Sequence, residues 1–219
     1  MSSLEETLTS IFNFIGSLVC HQMPERTFQI GGNSLPVCAR DTGVYIGFLT
    51  GYPLVFMSRK GGSGPPNPWF TLSMALPMML DALTQFFGLR TSTNELRLIT
   101  GLLFGTSLSP FMIYLLSLVP LSRRVPILKG LLPSEAKIGG KDPWLSAKAL
   151  SFGLAADLVL FLLIEASAGS TSRILYWLYG SLIIFSIIWH TFLLPTFLLI
   201  AALHHLKEAR SMKKIGGDA

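Results

Sequence analysis

Charge is what this sequence has least of. Only 13% of its 219 residues are charged, whereas a soluble domain carries about a quarter. An ordinary soluble protein is thereby excluded, because half of the residues are apolar and they fall in blocks long enough to cross a hydrocarbon core, which takes about 20 residues of helix. Cysteine is almost missing too: Cys20 and Cys38 stand alone, so no small secreted disulfide framework can form, although a single bridge remains open. There is no G-x-S-x-G, no H-E-x-x-H and no run of paired acidic residues of the kind that holds a metal pyrophosphate, which removes the recognised hydrolase and transferase signatures. Internal repeats are missing as well, and that counts against the common transporter plans. The N-terminal segment has no basic leader and carries Glu5 and Glu6 instead, so it is not expected to be cleaved as a signal peptide.

What is present predicts an all-α polytopic transmembrane bundle, one integral membrane domain over residues 1–219. Leu4, Leu8, Ile11, Phe12, Ile15, Leu18 and Val19 recur at helical spacing behind a Ser3–Glu6 capping box, which predicts an amphipathic, interfacial or half-inserted helix. Residues 1–36 form this helix and a motif loop, in which prolines, Gly31-Gly32 and Asn33 deny a continuous helix and return the chain to the membrane. About five spans follow, near 37–57, 69–87, 96–120, 144–168 and 174–206, with Pro195 expected to kink the last. Gly43, Gly47 and Gly51 in the first span, and Gly101 and Gly105 in the third, are small-residue stripes that allow close helix approach.

The net charge of +5 would suggest nucleic acid in a soluble protein, but the basic residues gather between apolar spans, where membrane lipids and topology account for them. No nucleic-acid partner is expected. Eleven basic residues lie in the first and third connections and the tail, among them Arg59, Lys60, Arg123, Arg124 and Lys207, against five (Arg26, Arg40, Arg90, Arg97 and Arg173) on the other side. The positive-inside rule therefore puts the C-terminus in the cytoplasm and the Cys20–Asp41 stretch outside, in a multi-pass cell-membrane protein.

The candidate site residues are set by that placement. Cys20, His21, Cys38 and Asp41 are all metal-capable side chains, so zinc or another divalent metal is one reading. A Cys20–Cys38 disulfide and a pair of buried thiols are the alternatives. Asp81 lies well inside the second span, where a carboxylate is costly unless paired, protonated or hydrated, with Arg90 or Arg97 as the expected partner. It is the candidate catalytic residue. Arg90, Asn94 and Arg97 are candidates to hold an anionic substrate group. Asp157, Glu165 and His190 are further intramembrane polar residues, with an Asp157–His190 pair expected between the last two spans and Glu165 placed with Asp81 on the floor of the site.

The motifs CHQMPERTF, LPVCARDTGVYIG and the D-x-x-T-Q-x-x-G-x-R-x-S-x-N-x-x-R pattern from Asp81 to Arg97 resemble the uncharacterised predicted membrane proteins grouped as domain of unknown function 2085. The likeness spans roughly Cys20 to Gly105 and implies no activity. Where that family's pattern reads C-A-R-C, this chain has Cys38-Ala39-Arg40-Asp41. Aspartate can ligate zinc but cannot complete a redox C-x-x-C, so the change favours metal or hydrogen-bonding roles. Three function classes remain: an enzyme or ligand-binding site for an anionic amphiphile at the extracytoplasmic interface, a small transporter, channel or lipid translocator, and a noncatalytic assembly factor. A homo-oligomer would reconcile a small bundle with a central pathway.

Overall fold

The computed structural model describes residues 3–58, 64–118 and 147–200, with the single positions 202, 203 and 207. Most of the basic positions assigned to the cytoplasm, the ends of the third to fifth expected spans and the His204-His205 pair lie outside the described residues. The described chain is helical apart from a short hairpin. Helix α1 covers Ser3–Ser17, α2 Ala39–Ser58, α3 Pro68–Phe86, α4 Asn94–Ser117, α5 Ala147–Ser167 and α6 Arg173–Ile200. Three helices, Asn94–Ser117, Lys148–Ser167 and Arg173–Ile200, are long and apolar enough to cross a membrane. The other two expected spans are also helical, but α2 is diluted by Gly43, Gly47, Gly51, Thr42 and Thr50, and α3 carries Asp81.

Helices α2 and α4 are packed backbone to backbone. A Cβ on Gly43 would run into the Leu98 carbonyl, one on Gly47 into the Leu102 carbonyl, and one on Gly101 or Gly105 into the Arg40 or Val44 carbonyl. Two glycine stripes facing each other permit this approach, because dispersion contacts rather than a hydrophobic driving force hold helices together in lipid. Around the seam, Phe48, Leu98, Leu102, Ile164, Ile183 and Ile187 complete the larger core.

Helix α1 lies against α6, with Phe12 edge-on to Trp177 at 5.5 Å between centroids and Arg173 reaching Glu5 at 3.4 Å. Its residues Leu4, Leu8, Ile11 and Phe14 stay exposed. Helix α6 runs on to Ile200 and widens into a π turn at Ile188–Leu193, just ahead of Pro195, where the sequence predicts a kink. Proline has no N–H to offer the carbonyl four residues earlier, and a wider turn accommodates that loss without a break. The expected Asp157–His190 pair is not made. His190 is buried, stacked on Phe48, with Nε2 at 3.0 Å from the Tyr52 hydroxyl and Nδ1 at 2.9 Å from the Ser186 carbonyl. The carbonyl can only accept, so Nδ1 carries the proton and Nε2 accepts from Tyr52. Asp157 takes its partners from α2 and α4 instead.

The seam makes a graded prediction for the thermal stability of the full chain in detergent. Gly47→Ala puts a methyl against backbone and should cost about 1–3 kcal/mol, the usual range for overpacking. Gly153→Ala meets only the flexible end of Leu54 and should cost less. Equal melting temperatures for the two variants would contradict this packing.

Candidate functional site

Two cysteines eighteen residues apart meet because the chain between them is folded back by specific local devices. After α1, Gln22 adopts a left-handed backbone with φ 52°, which a non-glycine residue holds only when its surroundings fix it. Its side-chain amide does so, with Nε2 donating to the Asn13 and Pro36 carbonyls at 2.7 Å each. A 3₁₀ turn at Pro24–Arg26 follows. Strands β1, Gln29–Ile30, and β2, Asn33–Ser34, then pair antiparallel across Gly31 and Gly32, both at positive φ, as a two-residue turn of this hand requires. The hairpin is docked on the turn between α5 and α6, where the Gly31 N–H donates to the Ser170 carbonyl and the Gly169 N–H to the Gln29 carbonyl.

This returns Cys38 to the side of Cys20. The Cys38 backbone N–H donates to the Cys20 sulfur at 3.2 Å, and the Cys38 thiol donates to Asp41 Oδ2 at 3.2 Å. Both thiols are free and half-buried. The ligand atoms of Cys20, Cys38 and Asp41 all lie within 4.8 Å of one another. His21 is outside this trio; it is exposed and forms part of the rim of a pocket of about 210 Å³ lined by Cys20, Cys38, Asp41, Arg26 and Arg40. The two thiols polarise each other. A side-chain hydrogen bond from the Cys38 thiol, shared with Asp41, holds Cys20 below the ordinary thiol value, against the opposing effects of burial and the Asp41 charge. Cys38 is pushed up, first by that same bond and then by burial and Asp41.

Beside this pocket stands Asp81, the one buried residue of α3. Arg40, in the first turn of α2, donates Nη2 to its Oδ2. Arg90 donates Nη2 to its Oδ1 at 2.5 Å and Nε to Thr84 at 2.9 Å. Arg90 reaches back because Gly88, at φ 67°, reverses the chain after α3. Arg40 also donates to Gln85 at 3.1 Å. Of the two partners expected for Asp81, Arg90 is one; Arg97 instead bonds Asn94 at 2.9 Å. Asn94 in turn donates to the Glu25 carbonyl at 3.4 Å, tying the start of α4 to the turn that carries Arg26. Arg97 is buried, within electrostatic reach of Arg26, Arg40 and Asp81. The Nε atoms of Arg40 and Arg97 are buried without a hydrogen-bond partner. A second hollow of about 490 Å³ is lined by Arg26, Arg40, Ala82, Leu83, Gln85 and Phe86, so the two hollows share Arg26 and Arg40.

The structure thus gathers Cys20, His21, Cys38, Asp41, Asp81, Arg90, Asn94 and Arg97 at one end of the bundle. Glu165 is half-buried and lines neither hollow. Asp157 and His190 sit at mid-helix, away from this end. Two contributors escaped the sequence reading: Arg40, adjacent to Asp41 and counted there only as a loop charge, and Arg26 of CHQMPERTF. Both lie inside the quoted motifs, which was the available signal.

A family model described as "Predicted membrane protein (DUF2085)" matches residues 20–111. An uncharacterized protein of Methanothermobacter thermautotrophicus is 37% identical over 91 residues, which are 42% of this chain and 81% of that protein. The chain belongs to the DUF2085 family of predicted membrane proteins. Another relative, an uncharacterized protein of Methanocaldococcus jannaschii, is 47% identical over 92 residues, 41% of this chain. The match spans little more than half of that relative, 58% of its length. No solved structure matches. The DUF2085 region begins at Cys20 and ends within α4, so it contains the thiol pocket, the Asp81 ion pairs and the glycine seam, but not Asp157 or His190.

The lowered Cys20 value has a direct readout. A thiol below its ordinary value is ionised at lower pH, so alkylation of Cys20 in the native protein should show a pH midpoint below that of an ordinary cysteine. Cys38→Ala removes that side-chain bond, leaving the backbone N–H bond to the Cys20 sulfur in place, and should move that midpoint upward. A midpoint unchanged by Cys38→Ala would contradict the pairing.

Proposed function

We propose that this DUF2085 protein recognises an anionic amphiphile at the extracytoplasmic membrane interface, its headgroup held by Arg26 and Arg40, with the charge of buried Arg97 close behind them, and its apolar part lying along α3. The observation that carries this reading is the pair of buried guanidinium Nε atoms, on Arg40 and Arg97, with no hydrogen-bond partner. Guanidinium groups with spare donors bind carboxylate or phosphate oxygens in forked geometry, among the strongest hydrogen bonds available to a side chain. The larger hollow sets Leu83 and Phe86 beside Arg26 and Arg40, cationic and apolar surface side by side, as a lipid-like ligand requires. Asp81 acts here as a positioning residue. Both of its oxygens accept from guanidinium groups, which leaves it poorly suited to take a proton from a substrate.

The topology of this reading has α2 to α6 as five spans and α1 in the interface. The exposed apolar side chains of α1, Leu4, Leu8, Ile11 and Phe14, suit a helix that beds one face in lipid. The loop charges support the same orientation. A transport path along Asp157, Glu165 and His190 has less support, because His190 has both ring nitrogens satisfied within the core.

Binding of short-chain phosphatidic acid to the full chain in detergent tests the proposal. Saturable binding is expected, with Arg26→Gln weakening it about tenfold, the equivalent of 1.4 kcal/mol. Arg26 is the preferred variant because it is half-exposed and does not hold Asp81. If the uncharged short-chain diacylglycerol binds as well as the phosphate ester, the headgroup reading is wrong.

A second reading concerns the thiol pocket. Cys20, Cys38 and Asp41 supply the three-ligand set of a zinc site with one position open, and their mutual distances favour it. Zinc there would activate water within reach of an ester bound at Arg26 and Arg40. Elemental analysis of protein purified without chelator should find one zinc per chain, lost in Cys20→Ser; metal-free protein with two titratable thiols would remove this reading and leave the arginine site standing.

A further inference from the structure

The stretch Cys38-Ala39-Arg40-Asp41 has one cysteine where a C-x-x-C would have two, but the fold supplies the second from Cys20. The two sulfurs and the Asp41 carboxylate lie within 4.8 Å of one another, and both thiols are free. Their surroundings are unequal. The Cys20 sulfur receives two backbone N–H groups, from Cys38 at 3.2 Å and from Gln22 at 3.5 Å, and donors of this kind favour the thiolate, which is the form that attacks. Gln22 is also the one non-glycine residue at positive φ among the described residues, a backbone state that clusters at functional sites. Cys38, by contrast, keeps its hydrogen and gives it to Asp41 Oδ2 at 3.2 Å. A single thiol would suffice to accept an acyl group. A second thiol within reach, holding its own proton acceptor, is what exchange with a disulfide needs.

The pocket over these sulfurs, about 210 Å³, is lined by Arg26 and Arg40 as well, so a molecule that reaches Cys20 passes beside two guanidinium groups. A hollow of this size admits a small molecule rather than a folded chain, and the two cations select a negative one. We propose that Cys20 and Cys38 form a dithiol/disulfide couple that reduces small anionic disulfides, with Arg26 and Arg40 receiving the anionic group and Asp41 serving the second thiol. The Cys20 thiolate attacks one sulfur of the substrate: a mixed disulfide forms, the substrate S–S bond breaks, and the first half leaves as a thiolate that takes a proton from water. Cys38 then passes its proton to Asp41 and attacks the Cys20 sulfur. The Cys20–Cys38 bond forms, the mixed disulfide breaks, and the second half leaves with the proton that Asp41 returns. Two electrons pass from the thiol pair to the substrate, and the same steps in reverse oxidise two small thiols. A chain holding zinc on these sulfurs cannot perform the exchange, whereas headgroup binding uses no sulfur and is independent of it.

The test uses the full chain in detergent, reduced, freed of reductant, kept with chelator and without lipid. Its probes are dithiobis(nitrobenzoate), an anionic disulfide, and dithiodipyridine, an uncharged one, both of which release a coloured thiol. Each chain should release two equivalents and emerge without adduct, bridged between Cys20 and Cys38 by peptide mass spectrometry. Cys38→Ala should stop at one equivalent with the adduct on Cys20, and Asp41→Asn should keep the first release and slow the second. Arg26→Gln should lower the rate with the anionic probe, relative to the uncharged one, about tenfold, as loss of one charge-assisted contact does. Two lasting adducts on the native chain, or one that stays unresolved on Cys20, would overturn the couple; a relative rate untouched by Arg26→Gln would overturn the anionic assignment. The native chain's own products decide the first point even if a variant does not fold. Phosphatidic acid binding is measured separately, so either reading can fail without the other.

Discussion

The close approach of α2 and α4 is the constraint on which the rest depends. Glycines on both helices remove the side chains that would otherwise hold the backbones apart, and the two axes are then fixed relative to each other over most of their length. Much of the polar chemistry of the protein is mounted on this pair or meets it. At one end the seam sets Arg40 and Asp41 of α2 near Arg97 of α4; at the middle it brings Thr50 to Thr106. A wider spacing would separate both groups, so the same glycines serve the arginine pocket and the contact between the two hydroxyls.

Helix α3 is attached differently. Its one buried residue is Asp81, while Trp69, Leu72, Leu76, Leu83 and Phe86 face outward. In water such a helix would turn over, burying its apolar residues and exposing its carboxylate. In lipid the preference is reversed, because the apolar side chains gain nothing by leaving the hydrocarbon and a charged group must find partners inside. Arg40 and Arg90 are those partners, and the ion pair between Asp81 and Arg40 also orients an arginine that lines both hollows.

Much of this was legible in order along the chain. The helical class, the stripes of Gly43, Gly47 and Gly51 against Gly101 and Gly105, and the grouping of Cys20, Cys38 and Asp41 with Asp81 and Arg90 all follow from spacing, composition and loop charge. Partner choice was not legible. Arg97 and Arg90 were equally plausible for Asp81 by sequence distance, but only Gly88 and the chain reversal after it turn Arg90 back along α3. His190 and Asp157 look like a pair because both are polar and deep, yet the π turn in α6 gives His190 to Tyr52 and Ser186, and α2 and α4 give Asp157 two hydroxyls.

The sequence by itself determined that this is a helical membrane protein of the DUF2085 family with its polar motifs clustered at one end, because the hydrophobic periods and the scarcity of charge are properties of segments. Only the tertiary structure decided which polar atoms meet. Whether an arginine keeps a spare donor, or two threonine hydroxyls share one carboxylate oxygen, depends on distances of a few tenths of an ångström between helices far apart in the chain, and no local pattern encodes those.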